Sequence, residues 1–244
     1  MNDAELAAWL AAEAGRMLLA LRAEGNHEGR DLGSAGDALA NAWLCEALRK
    51  ARPQDGLLSE ESKDTPERLT KSRVWIIDPV DGTREYGEAR ADWAVHVGLA
   101  IDGVPTHGAV ALPGLDVVLR TDQPRALHAS PQTPRMVVSR TRPAREALAV
   151  AEALGAELVP MGSAGAKAMA ILRGEAEIYL HSGGQYEWDS CAPVAVALAH
   201  GLHCSRIDGS PLIYNQVDLY MPDLLICRPE HAAIVLGMVR DLAD

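Results

Sequence analysis

With 244 residues, the chain is long enough to bury a sizeable core in one domain or two closely packed halves. Its 48% hydrophobic and 23% charged residues are those of an ordinary globular protein. A formal net charge of −11 argues against a nucleic-acid or anionic-membrane surface, and leaves phosphorylated small molecules open only where local cations gather them. Phe is absent, so the core is built from Leu, Val, Ile and Ala. The four cysteines, Cys45, Cys191, Cys204 and Cys227, form no Cys-x-x-Cys pair and read as free thiols of a reducing compartment. The first residues carry no basic leader, and no apolar run reaches membrane-spanning length, so a cytoplasmic protein is expected.

Leu6, Leu10, Ala14, Met17 and Leu21 recur at helical spacing, which predicts a first helix from about Asp3 to Arg22, closed by Gly25. Three glycines and alternating charge predict a loop from Asn26 to Gly36. A second helix follows from Asp37 to Ala51, with Asp37 at its N-cap. A short apolar segment, Gly56 to Ser59, leads into Glu60-Glu61, and residues 63–73 read as a polar excursion over the surface. Strands over Trp93–Ile101, Val104–Ala111 and Asp116–Thr121, joined at Asp102-Gly103 and Pro113-Gly114, make an antiparallel meander. The proline-rich stretch from Gln123 to Pro134 divides the chain into halves of residues 1–125 and 126–244. In the second half strands (Met136–Ser139, Glu157–Pro160, Ala176–His181, Leu224–Cys227) are interspersed with helices. The helices run over about Pro143–Leu154, Ala164–Arg173, Asp189–His200 and Pro229–Leu242. The mixture predicts α+β layers.

The chain is organised around Val74-Trp75-Ile76-Ile77-Asp78-Pro79-Val80-Asp81-Gly82-Thr83. Four apolar residues read as a strand buried on both faces, and that strand runs directly into two carboxylates. Buried unpaired carboxylates are costly, and a bound cation is the usual remedy. Asp78, Asp81 and the Val80 carbonyl form an all-oxygen set suited to Mg²⁺, while Gly82 and Thr83 begin a turn whose N–H groups could face a phosphate. An EF-hand is excluded by Pro79, Val80 and Ala89 at the wrong places, and a haloacid-dehalogenase pattern would space the aspartates two apart. A plain Asp-Gly turn after a strand remains open on these ten residues alone.

Three blocks in order decide between these readings: Leu58-Ser59-Glu60-Glu61-Ser62, Trp75 to Thr83, and Glu187-Trp188-Asp189-Ser190-Cys191-Ala192-Pro193. Together they resemble the inositol monophosphatase superfamily of Mg²⁺-dependent, lithium-sensitive phosphatases. The resemblance implies a layered α/β/α/β/α sandwich and two or three Mg²⁺ ions, with Li⁺ as inhibitor. It makes Glu60, Asp78, Val80, Asp81 and Asp189 metal ligands, with Glu61 helping to orient a water. Asp37 and Thr83 become the dyad that positions a metal-activated water for direct attack on phosphorus. Asp37 stands in Ser34-Ala35-Gly36-Asp37, where relatives carry a Thr and about one more residue before the acid. Homodimers are common in the superfamily. Seven of the histidines (27, 96, 107, 128, 181, 200 and 203) are read as surface or packing residues.

The residues after Asp-Gly-Thr, here Arg84-Glu85-Tyr86, resemble the 3′(2′),5′-bisphosphate nucleotidase branch, as do Ser139-Arg140-Thr141 and Gly162-Ser163-Ala164-Gly165-Ala166-Lys167. A second substrate phosphate needs cationic partners, which Arg84, Arg140 and Lys167 would supply. Gly82, Thr83, Ser139, Ser163 and Asp189 complete the expected substrate contacts. The expected reaction is hydrolysis of adenosine 3′,5′-bisphosphate to AMP and phosphate, in sulfur assimilation. The alternatives are a broader phosphatase for inositol monophosphate or fructose 1,6-bisphosphate, and a non-enzymatic sensor of phosphorylated metabolites, which would have lost a ligand.

Overall fold

The computed structural model describes residues 1–243. Helix α1 (Asp3–Glu24) opens on a reciprocal cap between Asn2 and Glu5 and closes at Gly25 in the left-handed region. Helix α2 (Gly29–Ala51) starts eight residues before the expected Asp37, so most of the predicted loop is helical and Asp37 lies inside a helix instead of capping one. The reason is tertiary. A Cβ on Gly33 would stand 2.7 Å from Thr83 Cγ2, and one on Gly36 would stand 2.6 Å from the Tyr86 ring. These glycines, unfavourable for a helix by propensity, let it approach the central motif closely.

The first sheet takes its strands in sequence order: β1 (Gly56–Ser59), β2 (Arg73–Asp81), β3 (Ala94–Ile101), β4 (Val104–Leu112) and β5 (Val117–Arg120). β1 pairs parallel to β2 and the rest is the expected antiparallel meander. The short helix α3 (Thr83–Gly87) links β2 to β3. The second sheet contains β6 (Arg135–Ser139), β7 (Glu157–Met161), β8 (Ile178–Tyr186), β9 (His203–Ser205) and β10 (Tyr220–Cys227), in the order β7-β6-β8-β10-β9. Helices α4 (Arg145–Leu154), α5 (Ala164–Leu172), α6 (Glu187–Ala199) and α7 (Pro229–Ala243) connect or follow them. Strand β8 runs on to Tyr186 through Gly183 and Gly184, β10 starts four residues before the expected Leu224, and β9 has no sequence signal long enough to announce it.

Period-two alternation builds the layers. Trp75, Ile77, Val95, Val97 and Leu99 point to one side of the first sheet, onto α1 and α2. Val74, Ile76, Val110 and Leu119 point to the other, where α5 and α6 fill the space to Val137, Tyr179, Leu224 and Ile226 of the second sheet. The far face of that sheet, Met136, Val138, Leu180 and Leu225, is covered by α4 and α7. The result is the α/β/α/β/α sandwich. The segment expected as a loose surface excursion is pinned: Arg68, 2% exposed, donates to Asp64, to Asn215 Oδ1 and to the Gln216 carbonyl.

Candidate active site

Asp78 and Asp81 are three apart, which on a regular strand would place them on opposite faces. Asp78 pairs with His96 but Asp81 pairs with Ala94, so three steps on β2 answer two on β3. That bulge, at Pro79, brings both carboxylates to one side. Asp189, in the first turn of α6, joins them: Asp78, Asp81 and Asp189 each offer an oxygen within 4.8 Å of the others.

Each acid is anchored by its own backbone or by a neighbour. Asp78 Oδ1 accepts from Val80 N at 3.0 Å, and Asp189 Oδ2 from Tyr186 N at 2.6 Å. Asp81 lies at the head of α5, where it accepts from Ala164 N (3.1 Å), Gly165 N (2.6 Å) and the Ser163 hydroxyl. Burial alone would raise its pKa, but nearby His96, the Ser163 hydrogen bond and Lys167 hold it down to about 2. The other acids go the opposite way. Asp78 is driven well above the carboxylate range, first by burial and then by Glu60, Asp81 and Asp189. Glu60 is exposed as a residue, yet its carboxyl end is crowded into the hollow. Desolvation there and the charge of Asp189 push it up to about 7. Burial, then Asp81, brings Asp189 to about 6. Four oxygen-bearing acids, of which the protein compensates Asp81 alone and leaves Glu60, Asp78 and Asp189 raised, fit a hard divalent cation.

Asp37 reaches the same hollow from inside α2. Thr83 Oγ1 stands 3.4 Å from Asp37 Oδ1 and 3.0 Å from the Val80 carbonyl, so one hydroxyl proton serves two acceptors and the Val80 contact is the shorter. Burial, followed by Glu61, lifts Asp37 to about 7. Glu61 itself is exposed, with its backbone carbonyl accepting from Asn41 Nδ2. Gly82, at φ 86°, sits in the left-handed region that turns the chain into α3.

The expected substrate contacts separate into two groups. Lys167 and Ser163 face inward. Lys167, 6% exposed, donates its Nζ to the carbonyls of Gly162 and Ser163, and the Ser163 hydroxyl is committed to Asp81. Neither is presented to solvent as a phosphate hook. Arg140 and Arg84 lie nearer the surface in one ion-pair network. Arg140 Nη2 is 2.7 Å from Glu85 and 3.0 Å from Glu88, and Arg84 Nε is 2.8 Å from Glu88. Ser139 Oγ accepts from Arg142 N at 3.2 Å. His96 is expected from the sequence as a surface or packing residue. It is fully buried, and its ring touches both Asp81 and the Trp188 carbonyl. The available signal was a lone polar residue in a strand otherwise apolar throughout.

The five-layer fold with this acid cluster defines a class of phosphatase, and residues 3–239 match the inositol monophosphatase family, to which the chain belongs. That is a family of enzymes, hydrolases of phosphate monoesters. Among individual proteins, the 3'-phosphoadenosine 5'-phosphate phosphatase of Mycobacterium leprae is 49% identical, covering 99% of this chain and 95% of its own. Its counterpart in Mycobacterium tuberculosis is 52% identical over 94% of this chain and 90% of its own. The solved structure of CysQ from Bacteroides thetaiotaomicron superposes with a TM-score of 0.80 at 23% identity, covering 93% of this chain and 97% of that one. At that identity the likeness speaks to fold alone.

Proposed function

We propose that this chain hydrolyses the 3′-phosphate of adenosine 3′,5′-bisphosphate, giving AMP and phosphate, with Mg²⁺ as cofactor and Li⁺ as inhibitor. The observation that carries the chemistry is the convergence of Asp78, Asp81 and Asp189 within 4.8 Å. The substrate reading is supported by the two mycobacterial relatives at 49% and 52% identity. It would place the chain in sulfur assimilation, and in the same reducing compartment that its free cysteines favour.

Glu60, Asp78, Asp81 and Asp189 are the residues that would hold the ions. When bound, Mg²⁺ polarises phosphoryl oxygens, lowers the pKa of water and steadies a leaving alkoxide. The chain's own residues do the rest. Thr83 gives its proton to Asp37 or to the Val80 carbonyl, so its oxygen is free to accept a hydrogen bond from the attacking water. Asp37, whose pKa burial and then Glu61 raise in the ion-free protein, accepts from the Thr83 hydroxyl and so orients it toward the water. Arg140 and Arg84 supply cationic charge for a second phosphate, if each exchanges a glutamate for it.

Phosphate release from adenosine 3′,5′-bisphosphate, inositol 1-phosphate and fructose 1,6-bisphosphate tests this, each with Mg²⁺, with EDTA and with added Li⁺. The expected result is Mg²⁺-dependent, Li⁺-sensitive preference for the nucleotide. Preference for a sugar phosphate would overturn the substrate, and full activity in EDTA would overturn the cofactor.

A further inference from the structure

His96 sits in the middle of β3, 0% exposed, on the side of the strand that meets α5 and α6. Its Nδ1 is 3.0 Å from the Trp188 carbonyl, and its Nε2 is 3.1 Å from Asp81 Oδ2. The Trp188 carbonyl is the ring's hydrogen-bond partner, whereas Nε2 faces Asp81 Oδ2 at ion-pair distance without forming a hydrogen bond. The two contacts are on different parts of the site. Asp81 ends β2, while Trp188 is the residue before Asp189 in the first turn of α6. One imidazole therefore spans the two segments that carry Asp81 and Asp189.

The surroundings are cut to admit this ring. A Cβ on Gly165 would lie 2.0 Å from His96 Nε2, so any side chain there would collide with it. Asp81 Oδ2 is met by the Ser163 hydroxyl, by Gly165 N at 2.6 Å and by His96 at 3.1 Å, whereas Oδ1 is met by Ala164 N alone. The Ser163 hydroxyl and Gly165 N fill the two lone pairs of Oδ2, His96 adds a close electrostatic contact, and Oδ1 keeps one lone pair.

We propose that His96 is a positioning residue. It braces the Asp81 and Asp189 segments against each other, hydrogen-bonded at the Trp188 carbonyl and seated against Asp81 Oδ2, and so fixes the direction in which Asp81 Oδ1 faces a divalent ion. The inference rests on the reading that these carboxylates hold such an ion. Partners of this kind, which orient ligands without touching the metal, are worth about 10- to 100-fold in metal affinity.

The test is calorimetric titration of Mn²⁺ into EDTA-stripped, dialysed full-length protein, with thermal unfolding of each variant recorded beside it. His96→Leu removes both ring nitrogens at similar bulk, and His96→Gln keeps an amide where Nε2 stands. Val97→Ala, one residue along β3 on the opposite face, reports what core damage alone does. His96→Leu should lose about tenfold or more in Mn²⁺ affinity, His96→Gln, which keeps the Asp81 end and gives up the Trp188 end, should fall between Leu and wild type, and Val97→Ala should bind as the wild type does. A cooperatively folded His96→Leu that binds Mn²⁺ within about threefold of wild type would overturn the brace. So would a His96→Gln variant that binds as tightly as the wild type, since the Trp188 end would then contribute nothing. Wild-type protein with no Mn²⁺ affinity would overturn the metal reading itself, and the two failures are thereby distinct.

Discussion

Lys167 Nζ donates to the Ser163 carbonyl at 2.7 Å and to the Gly162 carbonyl at 2.9 Å, closing the turn that leads into α5. The same turn delivers the Ser163 hydroxyl and two backbone N–H groups to Asp81. Burial depresses the Lys167 pKa, and Asp81 heads the carboxylates that oppose the depression. The lysine thus shapes the Asp81 cradle from behind. Lys167→Met should lower turnover of adenosine 3′,5′-bisphosphate and of inositol 1-phosphate by the same factor, about tenfold or more, because it acts on the ion site common to both. A loss confined to KM for the nucleotide would instead make Lys167 a direct phosphate contact. Paired steady-state kinetics decide between them.

Asp37 and Thr83 are 46 residues apart in sequence and meet through a hydroxyl. If they act as one unit on a single water, removing either removes the whole effect. Asp37→Asn and Thr83→Val should each lower kcat by about 10²-fold with little change in KM. The double variant should be scarcely worse than either single one. Independent multiplication of the two losses, read from a double-mutant cycle on kcat, would count against a shared role.

Asp78 and Asp81 stand out because a buried strand that leads into carboxylates is costly, but the family resemblance decides between turn and site and alone supplies Asp189; the three acids do converge. Legibility stopped where the cause lies in distant packing. Gly33 and Gly36 read as loop residues, since nothing local says that Thr83 and Tyr86 will press against them. Lys167 is expected as a phosphate contact from the resemblance of Gly162 to Lys167, and nothing local says that its Nζ turns back onto the carbonyls of Gly162 and Ser163. His96 was visible as an oddity in an apolar strand, but its partners come from 15 residues upstream and 92 downstream.

Metal binding should be linked to protons, with a definite sign. Without an ion, Glu60 and Asp37 titrate near 7 and Asp189 near 6, against ordinary values of 4.5 and 3.8 for Glu and Asp. Between about pH 4 and 7 the folded, ion-free protein therefore holds more protons at these sites than the unfolded chain. Their contribution to stability falls as pH rises through that window, and the penalty is complete above it. An ion needs its ligands Glu60 and Asp189 deprotonated, so it relieves their share of the penalty and binds with release of protons. The gain in urea midpoint on adding saturating Mg²⁺ should grow from pH 5.5 to pH 8. Taking the difference removes the contribution of histidines that do not hold the ion, such as half-buried His181, whose pKa desolvation lowers. A gain that is flat or shrinks with pH would contradict the raised carboxylates.

Arg140 is the cation through which the substrate's second phosphate should be felt. Its Nη2 is held by Glu85 and Glu88, and a Cβ on Gly82 of the central turn would stand 3.4 Å from that same Glu85. The guanidinium is thus stored at the rim of the acid hollow, already compensated, and a phosphate must compete with two carboxylates for it. A bidentate phosphate contact is stronger than the mean of such pairs, so exchange is favourable only for a ligand that offers a second anionic group there. Arg140→Ala should raise KM for adenosine 3′,5′-bisphosphate by about tenfold, the loss of one charge-assisted contact, and leave KM for inositol 1-phosphate nearly unchanged. Arg84, 64% exposed at its side chain and tied to Glu88 alone, should give a smaller effect of the same kind. Equal changes on both substrates would show that the network supports α3 and takes no part in choosing between one phosphate and two.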